Sequence, residues 1–191
     1  MNFLIPLEPT LKVELMQIFN KLDIVKSGEF LLKDGTYSSI YIDLRILSNF
    51  PKEFQRVIEI ASKFLENNQL VQLIDGIIAP PLAGIPLGVA LSLELEKSFY
   101  LTRTQQKDHG TGKLIEGDIR RKRILIVDDV ITSGASKIPI IQSIKANGGQ
   151  ICGLFVFINR IHDEKILQQF LSENKINFYY LLDFDDIRAI T

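Results

Sequence analysis

The 191-residue chain is long enough for one domain of ordinary size, and its 46% hydrophobic residues can supply a sizeable core. A net charge of -1 gives no general basic field, so no nucleic-acid partner is expected and any anion binding must be local. The lone cysteine, Cys152, lies in an apolar run and is expected to be a buried thiol in a reducing cytoplasm. We therefore expect one domain over residues 1–191 and a cytoplasmic location.

Two apolar stretches, the amino terminus and Gly76–Leu93, are candidate membrane segments, but neither has the pattern of one. The amino terminus, MNFLIPLEP, has no basic leader and no long apolar core. The stretch from Gly76 to Leu93 carries no charge, but Pro80, Pro81 and Pro86 divide it into strand, loop and helix. No membrane span is expected.

The first part of the chain predicts a small hood over roughly residues 1–50. Apolar residues at helical spacing from Leu11 to Leu22 predict an amphipathic helix that starts after Pro9. The stretch GEFLLKDGTYSSIYID then has two β-prone runs around an Asp-Gly pair, which predicts a hairpin. A second helix is predicted from Pro51 to about Asn67.

Strand and helix patterns alternate over the rest of the chain. Strands are predicted near Leu73–Ala79, Ser98–Thr102, Arg123–Asp128, Gln150–Ile158 and Asn177–Leu182, and helices near Ile85–Glu96, Ala135–Asn147 and Asp163–Glu173. This alternation predicts an α/β fold with a mostly parallel sheet flanked by helices, to which the N-terminal hairpin is added.

The most informative stretch is ILIVDDVITSGAS, residues 124–136. Its β-branched run predicts a strand buried on both faces, which places Asp128 and Asp129 at the carboxyl end, where open α/β sheets bind ligands. The small residues from Thr132 to Ser136 then predict a turn whose backbone N–H groups suit a phosphate, helped by a helix that begins near Ala135.

Two adjacent carboxylates repel a phosphate, so they are better suited to hydroxyl groups or a metal ion. A phosphorylated sugar satisfies both the turn and the acids. The alternative is a helix-capping turn with two solvated acids, and a pair of acids alone favours that alternative. The order of strand, acids and small-residue loop favours the sugar phosphate.

Residues 103–123, RTQQKDHGTGKLIEGDIRRKR, have three glycines and little apolar periodicity, which predicts a long exposed loop. Arg103, Lys107, His109 and Lys113 can gather on a polyphosphate, and such a loop can close to exclude water. A solvated charged loop is the alternative that composition alone favours. The GTGK fragment is not a nucleotide-binding P-loop, because an earlier glycine is missing and Leu114 follows the lysine.

At ILIVDDVITSGAS the chain resembles the phosphoribosyltransferases, which share a hydrophobic strand, two acids and a Thr/Ser/Gly-rich phosphate loop. GEFLLKDGTYSSIYID, APPLAGIPLGVAL, RTQQKDHGTGKLIEG and the INR ending at Arg160 further resemble the orotate phosphoribosyltransferases, in that family's order. The resemblance implies transfer of ribose 5-phosphate from phosphoribosyl pyrophosphate to orotate in pyrimidine (UMP) synthesis. It also implies magnesium, bound mainly through phosphoribosyl pyrophosphate, and a homodimer that shares loop 103–119 between subunits.

The resemblance also assigns roles to residues that would otherwise pass for ordinary core, surface or turn positions. The catalytic set would be Asp128, Asp129, Lys107 and His109, with no metal ligand supplied by the protein alone. Substrate contacts would come from Lys33, Tyr41, Ile42 and Arg160 at orotate, from Leu82, Ala83, Arg103, Thr104, Lys107 and His109 at pyrophosphate, and from Asp128, Asp129, Val130, Ile131, Thr132, Ser133, Gly134, Ala135 and Ser136 at the ribose 5-phosphate.

The chain departs from the family pattern at three positions. Thr104 stands where many members carry a lysine directly after the loop arginine, Ala83 replaces a lysine of some members, and Asn159 replaces the common acid before Arg160. The first change removes one positive contact to pyrophosphate. A weakly active or non-catalytic regulator that binds phosphoribosyl pyrophosphate therefore stays an alternative, as does a phosphoribosyltransferase for another base.

Overall fold

The computed structural model describes residues 5–31, 37–103, 114–161 and 164–189. Its helices are α1 (Pro9–Lys21), α2 (Pro51–Asn67), α3 (Gly84–Glu94), α4 (Ile138–Ala146), α5 (Glu164–Asn174) and α6 (Phe184–Arg188). Its strands are β1 (Val25–Leu31), β2 (Tyr37–Ile42), β3 (Gly76–Ile78), β4 (Ser98–Tyr100), β5 (Arg123–Ile131), β6 (Gln150–Asn159) and β7 (Phe178–Leu182). Short 3-10 helices cover Leu44–Asn49, Val71–Leu73 and Ala135–Lys137.

Five of the strands form one parallel sheet in the order β4-β3-β5-β6-β7. The two longest strands, β5 and β6, are adjacent near its centre, where their apolar runs are covered on both faces. Helices α3, α4 and α5 connect β3 to β4, β5 to β6 and β6 to β7, because parallel neighbours need a crossover. The α/β fold predicted from the alternating pattern is confirmed.

The side chains of β5 show how the sheet separates two hydrophobic clusters. Leu125 and Val127 belong to a cluster that includes apolar side chains of α1, α2 and α3. Ile124 and Ile126 point to the opposite face and join a cluster with α4 and α5. Packing on both faces holds β5 rigidly, so the residues at its carboxyl end have a fixed position.

The predicted N-terminal hairpin is confirmed as the antiparallel pair of β1 and β2, in which Val25 lies opposite Ile42. Its predicted turn at residues 32–36 lies outside the described residues. Within the described parts of the chain, no helix combines the length and apolar character that crossing a bilayer requires. The division into a single domain with a hood stays a prediction.

Several element boundaries differ from the prediction. Strand β5 continues to Ile131 instead of ending at Asp128, and the helix expected from Ala135 begins at Ile138 after one 3-10 turn. Helix α6 was not predicted; it is short, and its start is fixed by reciprocal hydrogen bonds between the Asp183 and Asp186 side chains and backbone N–H groups.

Candidate active site at the carboxyl edge of the sheet

The two acids lie near the carboxyl end of β5, within the part of the strand that still pairs with β6. Asp128 is paired in register with Val156 of β6, and the strand continues for three residues beyond it. Its side chain is only 7% exposed and forms an ion pair with Lys137. The expectation that the strand ends at the two acids, with both at its open edge, is therefore wrong for Asp128, because the strand continues to Ile131 and the buried Lys137 covers the carboxylate.

Asp129 has a different environment from its neighbour. Its side chain is partly buried, and Oδ1 accepts a hydrogen bond of 2.7 Å from the backbone N–H of Val130. Burial, followed by the negative charge of Asp128, raises the pKa of Asp129 to about 7, while the Val130 N–H and Lys137 act in the opposite direction. Asp129 therefore changes protonation near neutral pH.

The small-residue turn after β5 is built around Gly134. Gly134 has a φ of 78°, and a Cβ atom there would lie 2.8 Å from the ring of Phe170, so both conformation and space favour glycine. Thr132, Ser133 and Ser136 are exposed around it. The turn leads into the 3-10 turn and then α4, which places several backbone N–H groups near one surface.

The loop between β3 and α3 lies directly beside the acid pair. A Cβ atom on Gly84 would be 2.8 Å from Oδ1 of Asp128, so only glycine permits this approach. Leu82 is 76% exposed, Ala83 is partly exposed, and the Pro81–Leu82 peptide bond is cis. The structure thus brings together two stretches that the sequence separates by more than forty residues, as the predicted pyrophosphate and ribose sites require.

Arg160 lies next to the phosphate turn and touches the hood. Its backbone N–H donates to the carbonyl of Ile131 at 2.9 Å, and its guanidinium donates to the Ser38 hydroxyl. The guanidinium also lies over the Phe184 ring, 5.3 Å from the centroid. At the preceding position the Asn159 side chain accepts from the Ile161 N–H at 3.1 Å, so this residue shapes the chain after β6.

Two further predicted orotate contacts, Tyr41 and Ile42, lie on β2. Their backbones pair in register with β1, the Ile42 side chain is buried, and the Tyr41 ring stacks on Phe30. The Tyr41 hydroxyl accepts from Arg45 at 3.0 Å. These side chains stiffen the hairpin. Contact with a ligand therefore stays a prediction for the backbone groups of Tyr41 and Ile42.

The residues just before and just after the predicted catalytic loop contact each other. Thr102 pairs with Ile115 in an antiparallel bridge, and the Thr102 hydroxyl donates to the Ala79 carbonyl at 2.6 Å. The Arg103 guanidinium donates to Glu116 at 2.6 Å, so its charge is compensated within the protein. The remaining predicted loop residues and the hairpin lysine lie outside the described residues: Lys33, Thr104, Lys107, His109 and Lys113.

Three residues at this edge were not predicted to take part. Lys137 contacts Asp128, Ser38 contacts Arg160, and Glu116 contacts Arg103. The sequence signals neither of the first two contacts. A single lysine before the apolar helix IPIIQSI has many ordinary roles, and the partner of Ser38 is 122 residues away.

Comparison with known proteins gives a consistent assignment. The phosphoribosyl transferase domain family matches residues 44–176. Orotate phosphoribosyltransferases of Pyrococcus abyssi and Pyrococcus horikoshii are 36% and 32% identical, over 78% and 90% of this chain and 82% and 90% of theirs. The crystal structure of orotate phosphoribosyltransferase from Aeropyrum pernix superposes with a TM-score of 0.75 at 25% identity, covering 92% of this chain and 97% of that one. The acid pair, the phosphate turn and this likeness agree: the chain belongs to the phosphoribosyltransferases and, among them, to the orotate phosphoribosyltransferases.

Proposed function

We propose that the chain transfers ribose 5-phosphate from phosphoribosyl pyrophosphate to orotate, giving orotidine 5-phosphate and pyrophosphate in pyrimidine biosynthesis. The observation that carries the proposal is the contact between Gly84 and Asp128, because it joins the loop at residues 81–84 to the acid pair and the phosphate turn. A donor with a 5-phosphate, a ribose and a pyrophosphate needs three such sites side by side.

The reaction breaks the bond between C1 of the ribose and pyrophosphate and forms a bond between C1 and a ring nitrogen of orotate, whose proton is released. Positive charge develops on the ribose as pyrophosphate leaves. No covalent nucleophile is needed, so the protein contributes position and electrostatics. The turn from Thr132 to Ser136 would hold the 5-phosphate while Asp129 orients the ribose hydroxyls and opposes the developing charge. Arg160 would hold the orotate carboxylate, with Lys33 and the backbone of Tyr41 and Ile42 near the ring.

Magnesium fits this site as an ion that arrives mainly with the substrate. Asp129 offers the oxygen ligand that magnesium prefers, whereas both oxygens of Asp128 are already engaged, one by the Asp129 N–H and one by Lys137. No group of three or more acidic, histidine or cysteine side chains in the described residues is arranged to hold a metal ion. Substrate oxygens would therefore complete the coordination, and the bound ion would neutralise the leaving pyrophosphate.

We also propose a homodimer in which the loop of residues 103–119 reaches the partner's site. Arg103, Lys107 and His109 concentrate positive charge and a titratable ring at the start of this segment. The expectation that the whole stretch is an exposed loop is wrong for its last part, because Ile115 and Ile119 are buried in the hydrophobic core. The ion pair of Arg103 with Glu116 holds the two ends of the loop together. Such a loop would bring the cations of residues 104–113 to the pyrophosphate.

The decisive experiment follows the loss of orotate absorbance with phosphoribosyl pyrophosphate and magnesium. We expect loss that requires all three components and stops when magnesium is chelated, and we expect no product with adenine or hypoxanthine. Calorimetric binding of phosphoribosyl pyrophosphate without turnover would instead support a regulator. Product with a purine and none with orotate would show that the base has been assigned wrongly.

A further inference from the structure

Lys137 is an unusual cation because its side chain is only 5% exposed. Its ammonium contacts the Asp128 carboxylate, the Ser136 hydroxyl at 3.0 Å and, more weakly, the Val130 carbonyl at 3.4 Å. An ammonium has three N–H donors, so these three acceptors use all of them. The contacts join the strand that carries the acids to the turn that would hold the phosphate.

The contacts of Lys137 give the two acids different tasks. Oδ1 of Asp128 accepts from the Asp129 N–H at 2.9 Å and Oδ2 pairs with Lys137, so neither oxygen of Asp128 is without a partner. Oδ1 of Asp129 accepts from the Val130 N–H, and the Asp129 side chain is partly exposed, whereas that of Asp128 is buried. Asp129 is therefore the acid of the pair that a ligand can reach.

Lys137 also determines the direction of the Ser136 hydroxyl. The Ser136 oxygen accepts from the ammonium, and a hydroxyl that accepts in this way keeps its own proton for another acceptor. Ser136 is exposed on the turn, where that acceptor would be a phosphate oxygen. One buried cation thus directs a donor towards the phosphate and fixes the Asp128 carboxylate, which in turn accepts from the backbone N–H of Asp129 beside the ribose.

We propose that Lys137 is a positioning residue for the sugar-phosphate donor: it fixes the Asp128 carboxylate and directs the Ser136 hydroxyl into the phosphate turn, which couples recognition of the phosphate to recognition of the ribose. The proposal rests on the proposed function. A pair that only stabilised the fold would not need to join both halves of the site, and removing it would not change the affinity for one substrate alone.

Lys137→Met tests this role because it keeps the length of the side chain and removes the ammonium. We expect the KM for phosphoribosyl pyrophosphate to rise about tenfold or more, the scale of a lost charge-assisted hydrogen bond, and the KM for orotate to change less than about twofold. Lys137→Arg should recover part of the loss. The matched control is Lys145→Met at the other end of α4, where the lysine is exposed and bonds only the Asn174 carbonyl at 3.2 Å among the described residues.

A second variant separates positioning from stability. Ser136→Ala lies on an exposed turn, so it should fold, and it should raise the same KM without a further rise when it is combined with Lys137→Met. An unchanged KM for phosphoribosyl pyrophosphate in folded Lys137→Met would overturn the proposal. If Lys137→Met does not fold, an unchanged KM in Ser136→Ala overturns it instead.

Direct binding keeps this test independent of the assigned reaction. Calorimetry with ribose 5-phosphate should show the same loss of affinity in Lys137→Met, and Lys145→Met should bind as wild type does. Failure of the proposed function would appear in the wild type itself, as no consumption of orotate. Equal ribose 5-phosphate affinity in wild type and Lys137→Met would refute the role of Lys137 whatever the reaction is.

Discussion

The Arg160 guanidinium donates to the hydroxyl of Ser38, which connects the carboxyl end of β6 to the hairpin hood. The Ser38 hydroxyl is itself fixed, because it donates to the Ile40 carbonyl at 2.8 Å and accepts from the Ile40 N–H at 3.1 Å. On its other side the guanidinium covers the Phe184 ring. The cation proposed for the orotate carboxylate is thus oriented by the hood and by α6 together.

This orientation predicts the effect of removing the Ser38 hydroxyl. Ser38→Ala leaves the charge of Arg160 in place and deletes its hydrogen bond to the hydroxyl, which is worth about 0.5 to 1.5 kcal/mol, together with the two hydrogen bonds between the hydroxyl and the Ile40 backbone. We expect the KM for orotate to rise about threefold to tenfold, with little change in the KM for phosphoribosyl pyrophosphate. Ser39→Ala, at the exposed neighbouring position of β2, is the control. If both variants shift the two KM values alike, the effect comes from the hairpin and not from Arg160.

The acid pair gives a second prediction. Asp129→Asn should lower turnover by about a hundredfold or more, because it removes the anion that faces the ribose, and it should leave the fold intact. Asp128→Asn should also lower turnover, but here the structure changes the expectation about folding. It leaves the Lys137 ammonium buried without its counterion, and loss of one partner of a buried pair costs about 3 to 5 kcal/mol.

Steady-state kinetics and denaturant unfolding of the two single variants distinguish these effects. The expected pattern is a large loss of stability for Asp128→Asn only. Normal turnover in the double variant Asp128→Asn with Asp129→Asn would contradict the assigned reaction site.

The strand before the two acids and the turn after them show what the sequence could predict. The run from Ile124 to Val127 identifies a buried strand because β-branched residues covered on both faces leave few other solutions. The turn chemistry of residues 132–136 is equally local, since Gly134 alone marks the positive φ. Both features depend on neighbours in the sequence, so the buried strand and the glycine turn after it are confirmed, while the binding of phosphate by that turn stays a prediction.

Contacts made across the fold could not be predicted in this way. Strand β5 continues past the two acids to Ile131 because β6 offers pairing partners that far. The pairs of Lys137 with Asp128 and of Arg160 with Ser38 depend on how a strand, a turn and a hairpin come together. Single lysine and serine residues have too many ordinary roles to indicate such partners.

The raised pKa of Asp129 predicts how stability depends on pH. Its pKa is about 7 in the folded protein against an ordinary value of 3.8, so the folded state keeps a proton that the unfolded chain has released. The free energy of unfolding should therefore fall as the pH rises from about 4 to about 7, and the loss is complete above that range. Asparagine does not titrate, so Asp129→Asn should be the more stable protein at pH 8.

We expect this gain to be about 1 to 3 kcal/mol at pH 8 and to shrink towards zero near pH 4, since one pKa unit corresponds to about 1.4 kcal/mol and the site is only partly buried. Urea unfolding at several pH values measures it. Asp185→Asn, at a carboxylate that is 92% exposed, is the control and should show no such trend. A gain that does not depend on pH would mean that Asp129 is ionised in the folded state throughout.

The proposed sharing of loop 103–119 predicts complementation between two inactive chains. One chain carries Asp129→Asn and the other Lys107→Ala, so a mixed dimer contains one site with both parts intact. Exchange of subunits should therefore restore activity up to about a quarter of the wild-type value when the chains are mixed equally and at random, because half of the dimers are mixed and each has one complete site of two. Mixed and exchanged dimers that stay as inactive as their parents would contradict the shared site.

The last prediction concerns Thr104, where the resemblance implies a lysine. The adjacent Arg103 is paired with Glu116, so its charge is partly compensated before any substrate arrives. A lysine at position 104 would add a cation to the loop. If that cation meets the pyrophosphate in the transition state, Thr104→Lys should raise turnover by up to about tenfold, equivalent to about 1.4 kcal/mol.

The measurement compares wild type, Thr104→Lys and Thr111→Lys at saturating magnesium over a range of ionic strength. Thr111→Lys adds the same charge to the same loop, so equal gains in both variants would indicate general attraction of the anionic substrate, which salt screens. A gain confined to position 104 would identify a specific contact. A neutral result would mean that another cation, such as Lys113 or Lys122, already supplies the contact, and a clear fall would show that threonine is adapted to its place and that no useful charge is missing.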